Sequence, residues 1–376
     1  MKCKLPGRYL WSASKIAMAT GGNTTGDWSA NGVSINSRSI EKGDLFFAIK
    51  GPNHDGHNYV EQALAKGAVG AVVGEDYVSG LDITPDLSRF VSVADTMTAL
   101  NDIAISARNR SEARIIAITG SVGKTSTKEA LKLALDATVD SFSNVYATKG
   151  NLNNHWGLPL SLAHLPRDAA YGVFEIGMNH GGEISPLSRM ARPHVAIVTN
   201  VANTHSENFN SLDQIANAKA EIFDGLTTDG VAILNRDNSM FRHLSIAARN
   251  AGVNRVRSFG SLPGADCRLV DMQLNPNSSD ITAEIEGKKI VYSLGAPGRH
   301  LVINSLAVLC ALHSVGTDIL AGVDALTKFE GLKGRGKRHR IDLGLGIFEL
   351  IDESYNASPA SMAAAIEVLA ARKAEG

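Results

Sequence analysis

The strongest chemical signal in the chain is a glycine loop ending in Gly-Lys-Thr. Residues 115–128 read Ile-Ile-Ala-Ile-Thr-Gly-Ser-Val-Gly-Lys-Thr-Ser-Thr-Lys. Gly120 and Gly123 permit a tight turn in which main-chain N–H groups face phosphate oxygens. A helix opening near Lys124 adds the positive end of its dipole to the same spot. Lys124 supplies a point charge for the outer phosphates of ATP, and the Thr125 hydroxyl is placed to ligate Mg²⁺. The nucleotide-binding set is therefore Gly120, Ser121, Val122, Gly123, Lys124, Thr125 and Ser126. The spacing Gly-x-x-Gly-Lys-Thr is two residues shorter than the usual phosphate loop. A five-residue apolar strand before it and the helical run Lys128–Leu135 after it separate it from a plain glycine-rich turn.

Other polar groups fall near strand ends, where α/β nucleotide enzymes place their functional side chains. Glu175 closes the apolar run Gly-Val-Phe-Glu-Ile-Gly. A carboxylate there is costly to bury alone, so it reads as a metal ligand, with a helix cap as the alternative. His205 and Glu207 follow the strand ending near Asn200. Lys219, on a helical stretch, reads from chemistry alone as a surface lysine. The segment Lys149-Gly-Asn-Leu-Asn-Asn-His-Trp-Gly suits a polar ligand through its amides, although a turn cluster has the same composition. His54-Asp-Gly-His57 lacks the further Cys or His that a metal site needs and reads as a polar turn. The basic run Arg335–Arg340 reads as a solvated linker.

These groups must be positioned by an α/β framework. A helix is expected over residues 10–20, stopped by Gly21-Gly22, then short strands, a helix-like Tyr59–Lys66, a buried strand over 67–73 and a helix Val93–Ala107. After the glycine loop come strands beginning at Gly172, Val195 and Gly230, with helices at Ile184–Met190 and Leu212–Leu226. A mostly parallel sheet follows from this alternation. Polar alternation from Arg268 to Leu294 predicts an appended antiparallel hairpin, and a helix is expected over Val302–Val315. Residues 331–340 are expected to be a linker. A strand Gly346–Ile351, a loop and a helix Pro359–Ala371 then form a third unit too small to bury its own core. The expected domains are 1–110, 111–333 and 334–376.

Bulk properties narrow the class. The chain has 376 residues, 44% of them hydrophobic and 20% charged, the composition of a globular enzyme. A net charge of −1 argues against nucleic acid as a partner. Three widely spaced cysteines exclude a disulfide framework and suit a reducing compartment. The absence of a membrane-length apolar run or a secretory signal makes a cytoplasmic protein the expectation, and a monomer is expected.

Taken together the motifs resemble the ATP-dependent Mur ligases. The resemblance rests on Thr119-Gly-Ser-Val-Gly-Lys-Thr-Ser-Thr-Lys, Gly150-Asn-Leu-Asn-Asn, Glu175-Ile-Gly-Met-Asn-His-Gly-Gly-Glu-Ile, His205-Ser-Glu-Asn-Phe and Ala218-Lys-Ala-Glu-Ile-Phe. Gly298-Arg-His-Leu-Val-Ile-Asn-Ser, Asp352-Glu-Ser-Tyr-Asn-Ala-Ser-Pro and Ser37-Arg-Ser-Ile-Glu-Lys-Gly-Asp-Leu-Phe-Phe extend it over nearly the whole chain. It implies an N-terminal α/β substrate domain, a central ATPase domain of the phosphate-loop type and the start of a Rossmann-like C-terminal domain. The implied reaction joins D-alanyl-D-alanine to UDP-N-acetylmuramoyl-tripeptide through an acyl phosphate, in peptidoglycan synthesis. Ser37, Arg38, Asp55, Gly56 and His57 would hold the UDP end; Asn153, Asn154, Tyr355 and Asn356 would lie on the substrate path. Asn304, Arg335 and Asp352 would reach ATP. Glu175 and His205 would serve metal sites, and Lys219 would be carbamylated beside a second Mg²⁺, making Lys124, Lys219 and His205 the catalytic set. Asn36 stands where relatives often carry Asp. The family's third domain ordinarily continues further, so a chain with modest turnover is expected. The alternatives are a Mur ligase adding a diamino acid and a nucleotide-binding module with little turnover.

Overall fold

The strand Arg114–Thr119 is apolar from Ile115 to Ile118 and buried from Ile115 onward, because the sheet it belongs to is covered on both faces. The computed structural model describes residues 9–80, 87–140, 144–203, 208–344, 346–355 and 357–370. Among the described residues that strand lies in a nine-stranded sheet. The order across it is Lys288–Leu294, Ser279–Ile285, Cys267–Leu274, Arg255–Gly260, Val231–Asn235, Val195–Val198, Arg114–Thr119, Ala169–Glu175 and Asn144–Ala147. Register is parallel from Cys267–Leu274 through to Ala169–Glu175, with Ile118 opposite both Ile197 and Glu175. The C-terminal ends of three central strands therefore arrive together beside the glycine loop. That convergence makes the site.

The chain divides into two compact units, one from the described parts of Met1–Ala113 with His155–Ala169, the other from those of Arg114–Asn154 with Ala170–Gly376. In the first, Gly32–Ser34, Asp44–Phe47, Gly70–Gly74 and Phe90–Val93 form a parallel four-stranded sheet. Its helix Ala13–Thr20 is capped by the Ser12 side chain and ends at Gly21 in the left-handed region (φ 66°). The segment 155–169 joins this unit through the buried helix Gly157–Ala163: the Trp11 indole donates to Ala163 O (2.9 Å), and Val33 N donates to the His164 ring (3.1 Å).

In the second unit the helix Arg299–Val315 is buried on most of its faces, with Val302, Leu306, Leu309 and Leu312 in one core with Ile116, Ile197 and Ile233. Two expectations change. The predicted hairpin is three antiparallel strands, and the first of them also pairs in parallel with the central sheet at Phe259–Cys267, so it extends the sheet. The predicted linker contains a strand, Lys337–Asp342, paired antiparallel with Ile347–Asp352. Its basic, mostly exposed residues carry no apolar alternation to mark a strand. No helix of the described residues is long and apolar enough to cross a membrane.

Candidate active site

In the second unit, the glycine loop is shaped by contacts that exclude side chains. Gly120 has φ 154°, and a Cβ there would stand 2.0 Å from Thr199 Oγ1. Gly123 has φ 86° and caps the helix Lys124–Asp136; a Cβ on it would lie 2.9 Å from the Asn304 side-chain amide. Both positions need glycine for conformation and for space. The loop is tied down by the ends of neighbouring strands. Ser121 N donates to Asn200 O (2.8 Å), Ser121 Oγ exchanges hydrogen bonds with the Ala202 backbone, and Thr199 Oγ1 donates to Val122 O (2.6 Å).

Glu175 sits at the mouth of this loop. It is 2% exposed and is held from two sides: Thr125 Oγ1 donates to Oε2 (3.0 Å) and Asn153 Nδ2 donates to Oε1 (2.8 Å). Asn153 is itself fixed, since Gly177 N donates to its carbonyl (2.8 Å). The Lys124 ammonium folds back to donate to Gly120 O (2.6 Å). Burial pushes its pKa down; Glu175 opposes that shift and Arg335 reinforces it. Lys219, 3% exposed on the helix Leu212–Ala220, has its pKa driven well below the ordinary lysine range, first by burial and then by the charge of Lys124. A surface lysine, the reading from chemistry alone, is thus overturned. Three basic side chains, Lys124, Lys219 and Arg335, and one carboxylate converge where a triphosphate tail and a hard cation fit: hydroxyl and carboxylate oxygens form the donor set such a cation prefers.

A cavity of about 1080 Å³ opens over these groups. Its walls include residues 121–126, Asn151, Asn153, Asn154, Glu175, Asn304, Arg335 and Tyr355. The Asn304 amide reaches Ser126 Oγ (3.4 Å), and the Arg335 guanidinium stacks 4.2 Å from the Tyr355 ring centre. Asp352 does not line the cavity; its carboxylate accepts from Gly334 N (2.8 Å) and from Ser354 N and Oγ, shaping the turn that carries Arg335. His205 and Asn356 lie outside the described residues.

Sequence reasoning missed several cavity residues: Glu183, Asn200, Asn235, Asp237, Asn238 and His300. The run Leu-Asn-Arg-Asp-Asn leaves the C-terminal end of Val231–Asn235, so the strand-end rule applied to Glu175 would have found three of them, Asn235, Asp237 and Asn238. Asp237 fixes the facing loop by accepting from the backbone N–H groups of Ser261 and Leu262.

The remaining predicted residues belong to the first unit. Asp55 caps a turn by accepting from His57 N (3.0 Å), and its Oδ1 lies 2.6 Å from His57 Nδ1. Gly74 N donates to His57 Nε2 (2.9 Å), which places the ring proton on Nδ1, facing Asp55. Both ring nitrogens are spent, as a polar turn requires and a metal ligand does not. Burial acts to raise the Asp55 pKa, but the hydrogen bonds from His57 hold it below the usual carboxylate range. A Cβ on Gly56 would meet Ile49 N at 2.7 Å. Ser37 Oγ donates to Gln62 (2.8 Å), and Asn36 Oδ1 accepts from Arg38 N (3.0 Å), a turn that asparagine and aspartate serve alike.

Comparison with known proteins bears on the same regions. Residues 118–312 match the Mur ligase middle domain, and residues 29–108 match the catalytic domain of the Mur ligase family. The UDP-N-acetylmuramoyl-tripeptide–D-alanyl-D-alanine ligase of Rickettsia prowazekii is 36% identical over 360 residues, covering 96% of this chain and 77% of the relative. The Escherichia coli protein of the same name is 35% identical over 345 residues, covering 92% and 73%. Among solved structures, MurF from Acinetobacter baumannii superposes with a TM-score of 0.83 at 32% identity, over 96% of this chain and 77% of that one. MurF ligase from Thermotoga maritima in complex with ADP gives 0.73 at 27% identity, over 90% and 74%.

Proposed function

Because the chain belongs to the Mur ligase family, we propose that it is an ATP-dependent peptide ligase joining D-alanyl-D-alanine to UDP-N-acetylmuramoyl-tripeptide. The observation that carries this reading is the Glu175 carboxylate clamped between Thr125 and Asn153 at the mouth of the glycine loop. A carboxylate substrate brought to a triphosphate sets anion against anion, and that repulsion is the main obstacle to the first step. The backbone N–H groups of residues 121–125 and the Lys124 ammonium would take the phosphate charge. Thr125 and Glu175 would hold Mg²⁺, which when bound neutralises phosphate oxygens and orients them for in-line transfer.

In the first step a terminal carboxylate oxygen of the tripeptide attacks the γ-phosphorus, the bond to the bridging oxygen breaks, and ADP leaves. In the second, the D-alanyl-D-alanine amine attacks the acyl phosphate carbonyl. The tetrahedral intermediate loses phosphate and the amine proton, leaving an amide. Lys124 and Arg335 act by position and charge, and no protein nucleophile is required.

Lys219 is read as the residue that becomes carbamylated. Only an uncharged amine attacks CO₂, and burial beside the charge of Lys124 shifts the Lys219 pKa in the direction that favours that form. The product would place an anion beside Lys124, with Arg335 the other cation acting on it. The turn Asp55–His57, with Ser37 and Arg38, is read as the holder of the UDP end, and Asn154 and Tyr355 as neighbours of the substrate path. ATP-dependent phosphate release is the test. It should require both the UDP-muramoyl tripeptide and D-alanyl-D-alanine. Release with a UDP-muramoyl dipeptide and a diamino acid in their place would refute the substrate assignment.

A further inference from the structure

Lys128 is a charged side chain with no solvent exposure, one helical turn beyond Lys124. The Lys128 ammonium, with three protons to donate, donates to Thr148 O at 2.7 Å and Gly150 O at 3.4 Å and forms an ion pair with Glu129 Oε1 at 2.9 Å. Two of these three partners belong to the loop that leads to Asn153. The same loop is tied to the strand bearing Glu175, because Thr148 N donates to Val173 O (3.0 Å) and Glu175 N donates to Thr148 Oγ1 (3.3 Å). Burying a lysine is expensive, and an apolar residue of equal length would fill the space without that cost.

We propose that Lys128 is a positioning residue for the cation-holding carboxylate: by fixing the carbonyls of Thr148 and Gly150 it sets the loop from which Asn153 orients Glu175. The proposal rests on the ligase reading above, in which Glu175 serves the divalent cation of ATP. Lys128 touches neither Glu175 nor the cavity. Its effect passes through backbone carbonyls to the Asn153 amide, and from there to a carboxylate whose orientation decides how well it meets Thr125.

The test is nucleotide affinity by calorimetry on the full chain, with and without Mg²⁺, alongside thermal melting. Lys128→Met should weaken magnesium-dependent ATP binding about 10-fold or more, the size seen when groups supporting a metal ligand are removed. Affinity without Mg²⁺ should stay unchanged, and Lys128→Arg should recover part of the loss. Asn153→Ala should also weaken magnesium-dependent binding, and with Mg²⁺ present the double variant should be no weaker than the weaker single one, because both act on one path. If Lys128→Met does not fold, Lys128→Gln and Lys128→Arg enter the same cycle. Equal losses with and without Mg²⁺, or fold-changes that multiply in the double variant, would overturn the proposal. A wild-type chain without magnesium-dependent ATP affinity would overturn the ligase reading as well, whereas wild-type dependence unchanged in Lys128→Met overturns this proposal alone.

Discussion

Replacing Glu175 by glutamine separates the charge of the site from its packing. The two side chains have the same shape, so no cavity opens and no overpacking follows. Glu175 accepts from the Asn153 amide and the Thr125 hydroxyl. A glutamine can keep both contacts, its carbonyl accepting from Asn153 and its amide donating to a hydroxyl that rotates to accept. Stability should therefore change by no more than about 1 kcal/mol, the net worth of one hydrogen bond. What is lost is the negative charge, and with it the anionic oxygen for a divalent cation. Removal of one preorganised electrostatic group of this kind costs about 100-fold in turnover. A second consequence concerns pH. Burial pushes the Lys124 pKa down and Glu175 opposes that shift, so Glu175→Gln lowers it further. Activity that needs the ammonium is lost as pH rises through that pKa, so the alkaline limb of the profile should move to lower pH. The assay is ATP-dependent phosphate release across pH and Mg²⁺ concentration, with thermal melting as the control. A variant with wild-type turnover and magnesium dependence, or one that simply unfolds, would refute the reasoning.

Further outcomes follow from the same geometry. Gly123→Ala, forced into a left-handed conformation against Asn304, should lose about 1–2 kcal/mol in denaturant melts and release ATP more readily. Exposure to ¹³C-labelled bicarbonate should give a carbamate NMR signal that disappears in Lys219→Met; an identical signal in that variant would refute carbamylation of Lys219. In the first unit, His57→Ala leaves Gly74 N without its acceptor and Asp55 without its ring donor. Binding of the UDP-muramoyl tripeptide should weaken while ATP affinity is kept, as two separate titrations would read. The depressed Asp55 pKa adds stability that is present above its unfolded value and lost as pH falls through the folded one. The acid limb of unfolding should accordingly shift to higher pH in His57→Ala.

The sequence by itself determined the glycine loop, the alternation of strands and helices, and the residue types at the strand ends. These are local properties: an apolar strand, two glycines, and a lysine and threonine at a helix start can be read within fifteen residues. Glu175 was legible for the same reason, as a carboxylate that closes an apolar run. Only the tertiary structure decided which groups meet. Lys219 looks like any surface lysine until the packed helix buries it against the charge of Lys124. Lys128 carries no signal at all, because its acceptors lie 20 and 22 residues away in sequence and are backbone carbonyls, which every residue has. The strand hidden in the basic run after Gly336 became visible only through its partner, since a two-stranded pairing is specified by both strands and by neither alone.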